Sequence, residues 1–285
     1  VFRPGIATSQ GSRGHMEDRH IYIEDLESLR EIVPDDRRFI WTFYGVFDGH
    51  GGELCSTWAA DNMHINFITQ DCFPEDIPKA LELAVLETDQ EFMEKYPKLL
   101  DDGCTAIVIV MKSHKDTRIT EELWICNCGD SRAALVTYDG ETYNGTALSI
   151  DHKPARPDEK KRIEAAGGVV KQSSIFGIKG PYRVYDSKHR GGLAVSRALG
   201  DAFLKRDNLV ISNPEIVHIA LQTDSVGFIL ASDGLWDEMS TELVAKAVGV
   251  GVASKKTTQE IAEALVSQAL SYSKSSLAGS DNITV

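Results

Sequence analysis

Two runs rich in β-branched and aromatic residues end on the same dipeptide, and this limits the folds open to the chain more than any other feature. Arg38 to Phe47 runs into Asp48-Gly49-His50-Gly51-Gly52, and Val226 to Ser232 runs into Asp233-Gly234. Such runs read as buried strands, and the glycines after the first release the backbone for a sharp turn. Each strand therefore delivers a carboxylate to its end. Taken alone, an Asp-Gly pair is first a turn signal, so chemistry has to be argued from what else reaches the same place.

The connections between strands decide the fold class. Arg19 to Glu24, Thr105 to Met111, Leu123 to Cys128, Ala133 to Tyr138 and Val217 to Leu221 have strand character. Asp139-Gly140 marks a hairpin, and Asn144-Gly145 reads as a further turn ahead of a strand at Ala147 to Ile150. Phe2 to Ser9 reads as an incomplete first strand, and Leu26 to Arg37 as a loop or short helix. Helices are expected at Glu53 to Ile68, at Pro78 to Tyr96, from Pro157 to Gly167-Gly168, at Thr241 to Val248 and at Gln259 to Tyr272. The last is entered through a capping box at Thr257 and Glu260. Val169 to Arg190 keeps no period and carries Gly177, Gly180 and Pro181, so it reads as a mobile excursion. Strands joined mostly by hairpins, with helices gathered in blocks, point to antiparallel sheets covered by helices, an α+β layered domain. With 285 residues and no visible linker, one domain over residues 1–285 is expected. The chain stops as Ile283-Thr284-Val285 begins to read as a strand, so a terminal strand is expected to be cut short.

A hydrophobic fraction of 42% and a charged fraction of 26% suit a soluble globular protein, and no stretch reaches the apolar length of a membrane span. The net charge of −13 argues against nucleic-acid binding through an overall field. An acidic chain can still hold an anionic substrate if its acid excess is gathered on bound cations, which reverse the local sign of the field. The five cysteines, Cys55, Cys72, Cys104, Cys126 and Cys128, make an odd count, several of them within apolar runs. That fits a reducing compartment, cytoplasmic or nuclear. Cys126-Asn127-Cys128 is too closely spaced for the usual zinc or redox pair, and its cysteines are expected to alternate faces within a strand. The sequons at Asn144 and Asn282 would matter only in a secreted chain, and no signal peptide is visible.

Acidic residues fall at element ends in separate places: Glu17-Asp18, Asp48, Asp130, Asp233 with Asp237, and Asp281. Brought to one edge they would repel unless protonated or neutralised, and the hard-cation solution is Mg²⁺ or Mn²⁺ held by oxygen ligands and waters. Two such ions about 4 Å apart can activate water for in-line attack on phosphorus, with Asp48 a natural bridge. Each residue also has a plainer reading. Arg13 can pair with Glu17, His50 can cap the following helix, and Asp237 can be a first-turn acid favoured by the helix dipole.

The motifs occur in a telling order: Arg13-Gly14-His15-Met16-Glu17-Asp18, Val46-Phe47-Asp48-Gly49-His50-Gly51-Gly52, Cys104-Thr105-Ala106, Gly129-Asp130-Ser131-Arg132, Asp151-His152-Lys153-Pro154, Leu193 to Asp201, Ala231 to Asp237, and Ser280-Asp281-Asn282. In that order the set resembles the metal-dependent serine/threonine phosphatases of the protein phosphatase 2C (PPM) family. The resemblance implies a four-layer α-β-β-α sandwich, two antiparallel β-sheets flanked by helices, with a dinuclear metal cleft at one edge and a flap at about 169–190. It implies Asp48 as the carboxylate bridging two Mg or Mn ions, the Gly49 carbonyl on the second ion, and Asp233 and Asp281 as the remaining direct ligands of the first. Glu17 matches the acid that reaches the second ion through water, with Asp18 in support. Asp130, Asp233 and Asp237 match a third, weaker metal site. Arg13 matches the phosphate clamp and His50 the general acid for the leaving serine or threonine oxygen.

The implied reaction is dephosphorylation of phosphoserine and phosphothreonine in proteins by a monomer, through in-line attack of a metal-bridging hydroxide. Side-chain chemistry agrees: a guanidinium offers forked donors to phosphate, and a histidine near its operating pH can protonate an alkoxide. The flap is longer than in compact members and carries Lys179, Arg183, Lys188, His189 and Arg190. It reads either as a selector of phosphoprotein substrates or as a solvated loop. Two other functions stay in view: a catalytically inactive phosphatase-fold binding regulator, disfavoured because no metal carboxylate is lost, and a metal hydrolase of small phosphate esters.

Overall fold

The structure is a computed structural model that describes residues 4–29, 38–117, 119–175, 178–273 and 279–285. The strand Phe39–Phe47 lies inside a five-stranded antiparallel sheet ordered Glu215–Ala220, Thr120–Cys128, Ala106–His114, Phe39–Phe47, Arg19–Ile23. Alternation along its inner strands feeds two cores at once. Trp41, Phe43, Phe47, Val108, Val110 and Trp124 face the helices Leu54–Ile68 and Ile77–Lys95, packing with Met63, Phe67, Leu81 and Phe92. Tyr44, Val46, Ile107, Ile109, Leu123 and Ile125 face the other way, onto Ala133, Leu135, Phe228 and Leu230. Burial on both faces explains why these strands read as near-continuous apolar runs.

The second sheet is ordered Ser225–Ala231, Arg132–Tyr138, Tyr143–Ala147. Its far face places Ala134, Val136 and Ala231 against Val244, Val248, Leu265 and Ala269 of the helices Thr241–Ala253 and Thr258–Ser273. The layers are thus helices, sheet, sheet, helices, as expected. The capping box forms as read: the Thr257 N–H donates to Glu260 Oε2 at 2.8 Å, and the Glu260 N–H donates to Thr257 Oγ1 at 3.2 Å.

Several expectations are corrected. Asn144-Gly145 makes no turn. The Asp139 carboxylate accepts from the N–H groups of Glu141 and Thr142, both at 2.8 Å, which completes the hairpin early, and the strand resumes at Tyr143. Residues 148–150 are then irregular. Gly145 instead permits close packing, since a Cβ there would lie 2.5 Å from the Thr241 carbonyl oxygen.

Val169 to Arg190 is no structureless excursion. Val169–Ile175 pairs with Ile178–Tyr185, which pairs with Gly191–Leu193, over a core of Ile163, Val184, Val195, Leu204 and Leu209. A register shift between Gln172 and Ser174 breaks the alternation that would have revealed the strand. Gly177 lies outside the described residues.

Cys126 and Cys128 share the helix-facing side and do not alternate, because residues two apart on a strand point the same way. All five cysteines are free thiols. Of the expected first strand, Thr8–Ser9 forms and pairs with Ile283–Thr284, while Phe2 and Arg3 lie outside the described residues. Leu26–Leu29 is a 3₁₀ turn, and residues 30–37 of the expected loop are likewise outside.

A buried ion network fixes the helix Pro157–Ala165 against the strand Val169–Ile175. Glu159 is 2% exposed and accepts from Arg197 Nη2 at 2.7 Å and Arg162 Nη2 at 2.9 Å. Burial works to raise its pKa, but the bonds from Arg197 and Arg162 outweigh it and hold the carboxyl down to about 2, against an ordinary 4.5. Because the folded value lies below the unfolded one, this stabilisation is complete above pH 4.5 and is lost as pH falls toward 2. Glu159→Gln is expected to cost about 2–3 kcal/mol at neutral pH, the low end for a broken buried pair, because both arginines keep backbone acceptors. Chemical denaturation as a function of pH checks it: the gap between the proteins should close in acid, and a gap independent of pH would reject the charge network as its source.

Candidate metal centre

Strand polarity explains why distant acids meet. Phe39–Phe47 and Ser225–Ala231 belong to different packed sheets, yet both end at one edge of the sandwich and deliver Asp48 and Asp233 there. The Asp233 N–H approaches Asp48 Oδ2 at 3.5 Å. Thr120–Cys128 reaches the same edge, since Cys128 pairs with Ala106 while Val46 pairs with Ile107, and Gly129 then carries the chain to Asp130. Asp48, Asp130 and Asp233 each present a carboxylate oxygen, and these atoms lie within 4.8 Å of one another.

Such proximity is unfavourable for charged groups. Burial first, then Asp233, Asp18, Asp130 and Asp281, raise the Asp48 carboxyl well above its usual range. Burial, Asp130 and Asp237 do the same to Asp233. Asp237, exposed at the rim, is raised by partial desolvation and by Asp130, against Lys153. Asp18 is pushed up to about 6 by burial, although hydroxyl bonds from Ser232 and Thr284 oppose this. Those hydroxyls donate to Asp18 Oδ2 at 2.8 and 2.9 Å, while Oδ1 is buried without a hydrogen-bond partner. An orphaned buried carboxylate oxygen beside three crowded acids is what a hard divalent cation, or a water on it, would satisfy. The donor set therefore fits Mg²⁺ or Mn²⁺.

The remaining site residues stand around this group. Glu17 is stitched in by its backbone: its N–H donates to Asn282 Oδ1 at 2.7 Å, and its carbonyl accepts from Ser56 Oγ at 2.5 Å. Gly49 lies against that carbonyl so tightly that a Cβ would come within 2.4 Å of it. Arg13 pairs with Asp281 at 2.5 Å and not with Glu17. Lys153 forms an ion pair with buried Asp130; burial works to lower its pKa, but Asp130, Asp237 and Asp233 hold it high.

His50 does not cap the following helix. Asp102 does, accepting from the Cys55 N–H at 2.9 Å and the Leu54 N–H at 3.4 Å. His50 Nε2 instead meets Asp201 Oδ2 at 2.8 Å, and although burial disfavours the charged ring, Asp201 outweighs it and raises the pKa.

Sequence reasoning assigns no role to Thr105, Lys153, Asp102, Asp201 or Asn282. Thr105 Oγ1 accepts from the Asp48 N–H at 3.3 Å and shares a 2.7 Å bond with Ser131 Oγ. The available signal was position: Lys153, Asp201 and Asn282 fall inside motifs that also hold acids, Thr105 falls in a motif that holds none, and Asp102 only precedes that motif.

A helix-sheet-sheet-helix sandwich that gathers carboxylates at one edge defines a class of protein whose donor set there suits a hard cation. The family model described as Protein phosphatase 2C matches residues 2–276, and the chain belongs to that family. It is 35% identical over 296 residues to Protein phosphatase 2C homolog 2 of Aspergillus flavus, covering 99% of this chain and 62% of that protein. To Probable protein phosphatase 2C 59 of Arabidopsis thaliana it is 36% identical over 285 residues, covering 99% and 78%. The chain thus spans less than two thirds of the Aspergillus relative. The crystal structure of serine-threonine phosphatase 2C from Toxoplasma gondii superposes with a TM-score of 0.80 at 27% identity, covering 98% of this chain and 92% of that one. No helix among the described residues is long and apolar enough to cross a membrane.

Proposed function

We propose that the chain hydrolyses phosphoserine and phosphothreonine esters in proteins, using two Mg or Mn ions held by Asp48, Asp233, Asp281 and the Gly49 carbonyl, with Glu17 acting through water and Asp18 in support. The observation that carries this reading is the convergence of Asp48, Asp130 and Asp233, whose electrostatics favour added positive charge. Membership of the family and the names of the relatives support it. Bound divalent ions would supply charge compensation for the phosphoryl oxygens and a water acidic enough to act as nucleophile at neutral pH.

The chain's own groups do the rest. Arg13, 57% exposed on Asp281, is placed to turn its forked donors onto phosphoryl oxygens. His50 gives a proton to the departing serine or threonine oxygen. A third cation at Asp130, Asp233 and Asp237 has to displace Lys153 from Asp130, which makes such a site weak. In the flap, Arg183 bonds the Gly192 carbonyl and Arg190 pairs with Asp186, while Lys179, Lys188 and His189 are exposed cations or potential cations that could select a phosphoprotein substrate.

The test is phosphate release from a phosphothreonine peptide. Turnover is expected with Mn²⁺ and should vanish when EDTA is added. A purified chain with Mn²⁺ bound, shown by calorimetry, that released no phosphate from peptide would overturn the reading in favour of an inactive binding protein.

A further inference from the structure

We propose that Asp201 is a positioning residue for the proton transfer: it holds His50 by Nε2, so that Nδ1 is the nitrogen presented to the leaving oxygen. This rests on the reading of His50 as proton donor. The Asp201 side chain is 6% exposed, whereas that of His50 keeps 26% exposure, so the ring is held at Nε2 without being closed off from solvent. Among the described residues Nδ1 has no hydrogen-bond partner. In this arrangement the proton along the 2.8 Å contact is carried by Nε2 and accepted by the Asp201 carboxylate. The transferable proton of the charged ring is then on Nδ1. As the ester P–O bond breaks and its electron pair goes to the leaving oxygen, that oxygen takes the Nδ1 proton. Water supplies the new P–O bond, and the ring, left neutral with Nε2–H still on Asp201, is reprotonated by solvent.

The fold fixes Asp201 from several sides. A small antiparallel sheet sets Gly49–His50 beside Gly103–Cys104, and Gly103–Cys104 beside Leu199–Gly200. The Asp201 N–H donates to the Asp102 carbonyl at 3.1 Å, the same Asp102 that caps the helix after His50. Its backbone is left-handed at φ 52°, a conformation Asp tolerates better than most residues. The preceding Gly200 N–H donates to Asp89 Oδ1 at 2.7 Å, and Lys205 neutralises that buried carboxylate. Gly103 closes over the pair: a Cβ there would fall 2.3 Å from Asp201 Oδ2 and 2.7 Å from His50 Nε2.

Asp201→Asn preserves shape but no longer dictates which ring nitrogen keeps the proton. With Mn²⁺ present, kcat on a phosphothreonine peptide, a poor leaving group, is expected to fall about 10–100-fold, and that on p-nitrophenyl phosphate less than about threefold. Mn²⁺ binding by calorimetry should not change. Equal losses on both substrates, or no loss on the peptide, would overturn the proposal. Should the variant not fold, ¹⁵N spectra of the wild-type protein decide: at a pH that neutralises the ring, the remaining proton is expected on Nε2, and a proton on Nδ1 would reject the assignment. His50→Ala separates this inference from the reading beneath it. Leaving-group-selective loss in His50→Ala without it in Asp201→Asn rejects Asp201 alone; no selectivity in His50→Ala rejects the proton-donor reading itself.

Discussion

Asp48→Asn is expected to reduce turnover by more than the roughly 10–100-fold that loss of an outer-shell metal partner costs, and to make the metal-free protein more stable. The first effect follows from removing the carboxylate at the meeting point of both sheets. The second follows from the same crowding. Burial, Asp233, Asp18, Asp130 and Asp281 all disfavour charge on Asp48, so its folded pKa lies above the ordinary 3.8. A group raised in this way contributes fully below its unfolded value and loses that contribution as pH rises through the folded one. Asparagine carries no charge to lose, so the variant's advantage should be small in acid and grow toward neutral pH. Mn²⁺ should reverse the order, because only the wild type gains the full stabilisation of ligand binding. Thermal unfolding with EDTA and with Mn²⁺, at acid and neutral pH, reads all of this. Near-normal turnover, or a metal-free variant less stable than wild type, would remove Asp48 from the centre of the site.

What the sequence made legible was local. Phe39–Phe47 and Ala106–His114 announce themselves because both faces are buried, and the helix at Thr258–Ser273 because its cap is written in adjacent residues. Carboxylates at strand ends were readable for the same reason: a strand, an acid and a glycine are neighbours in the chain. Where one residue breaks a pattern, as in the bulge near Gln172 or the early closure by Asp139, alternation gives the wrong element.

The partners that aim the site are a different matter. Asp201 lies 151 residues from His50, Ser232 lies 214 from Asp18, and Arg13 chooses Asp281, 268 residues away, over Glu17 nearby. Such pairings are set by which strand ends share an edge, and no local period encodes that.

Gly49→Ala carries the other large expected effect, and its cause is a clash, not backbone strain. Gly49 does not adopt a left-handed φ, so alanine can take its backbone conformation. The obstacle is space: the added Cβ would meet the Glu17 carbonyl oxygen at 2.4 Å and Ser56 Oγ at 2.9 Å. A carbonyl cannot rotate aside as a side chain can. This one also accepts the Ser56 hydroxyl at 2.5 Å, and the Glu17 N–H is tied to Asn282 at 2.7 Å. Gly49 is held in turn by its pairing with Cys104. Relief must therefore come from parting the two segments, which separates Glu17 and Asp18 from Asp48. Stability should fall by about 1–3 kcal/mol, the usual cost of overpacking, and Mn²⁺ affinity should fall with it. Gly14→Ala is the matched control, since nothing lies within 4 Å of a Cβ there, and it should leave melting and Mn²⁺ binding unchanged. If Gly49→Ala behaved like Gly14→Ala, the contact between Glu17 and Gly49 would not be what holds the two halves of the acidic cluster in register.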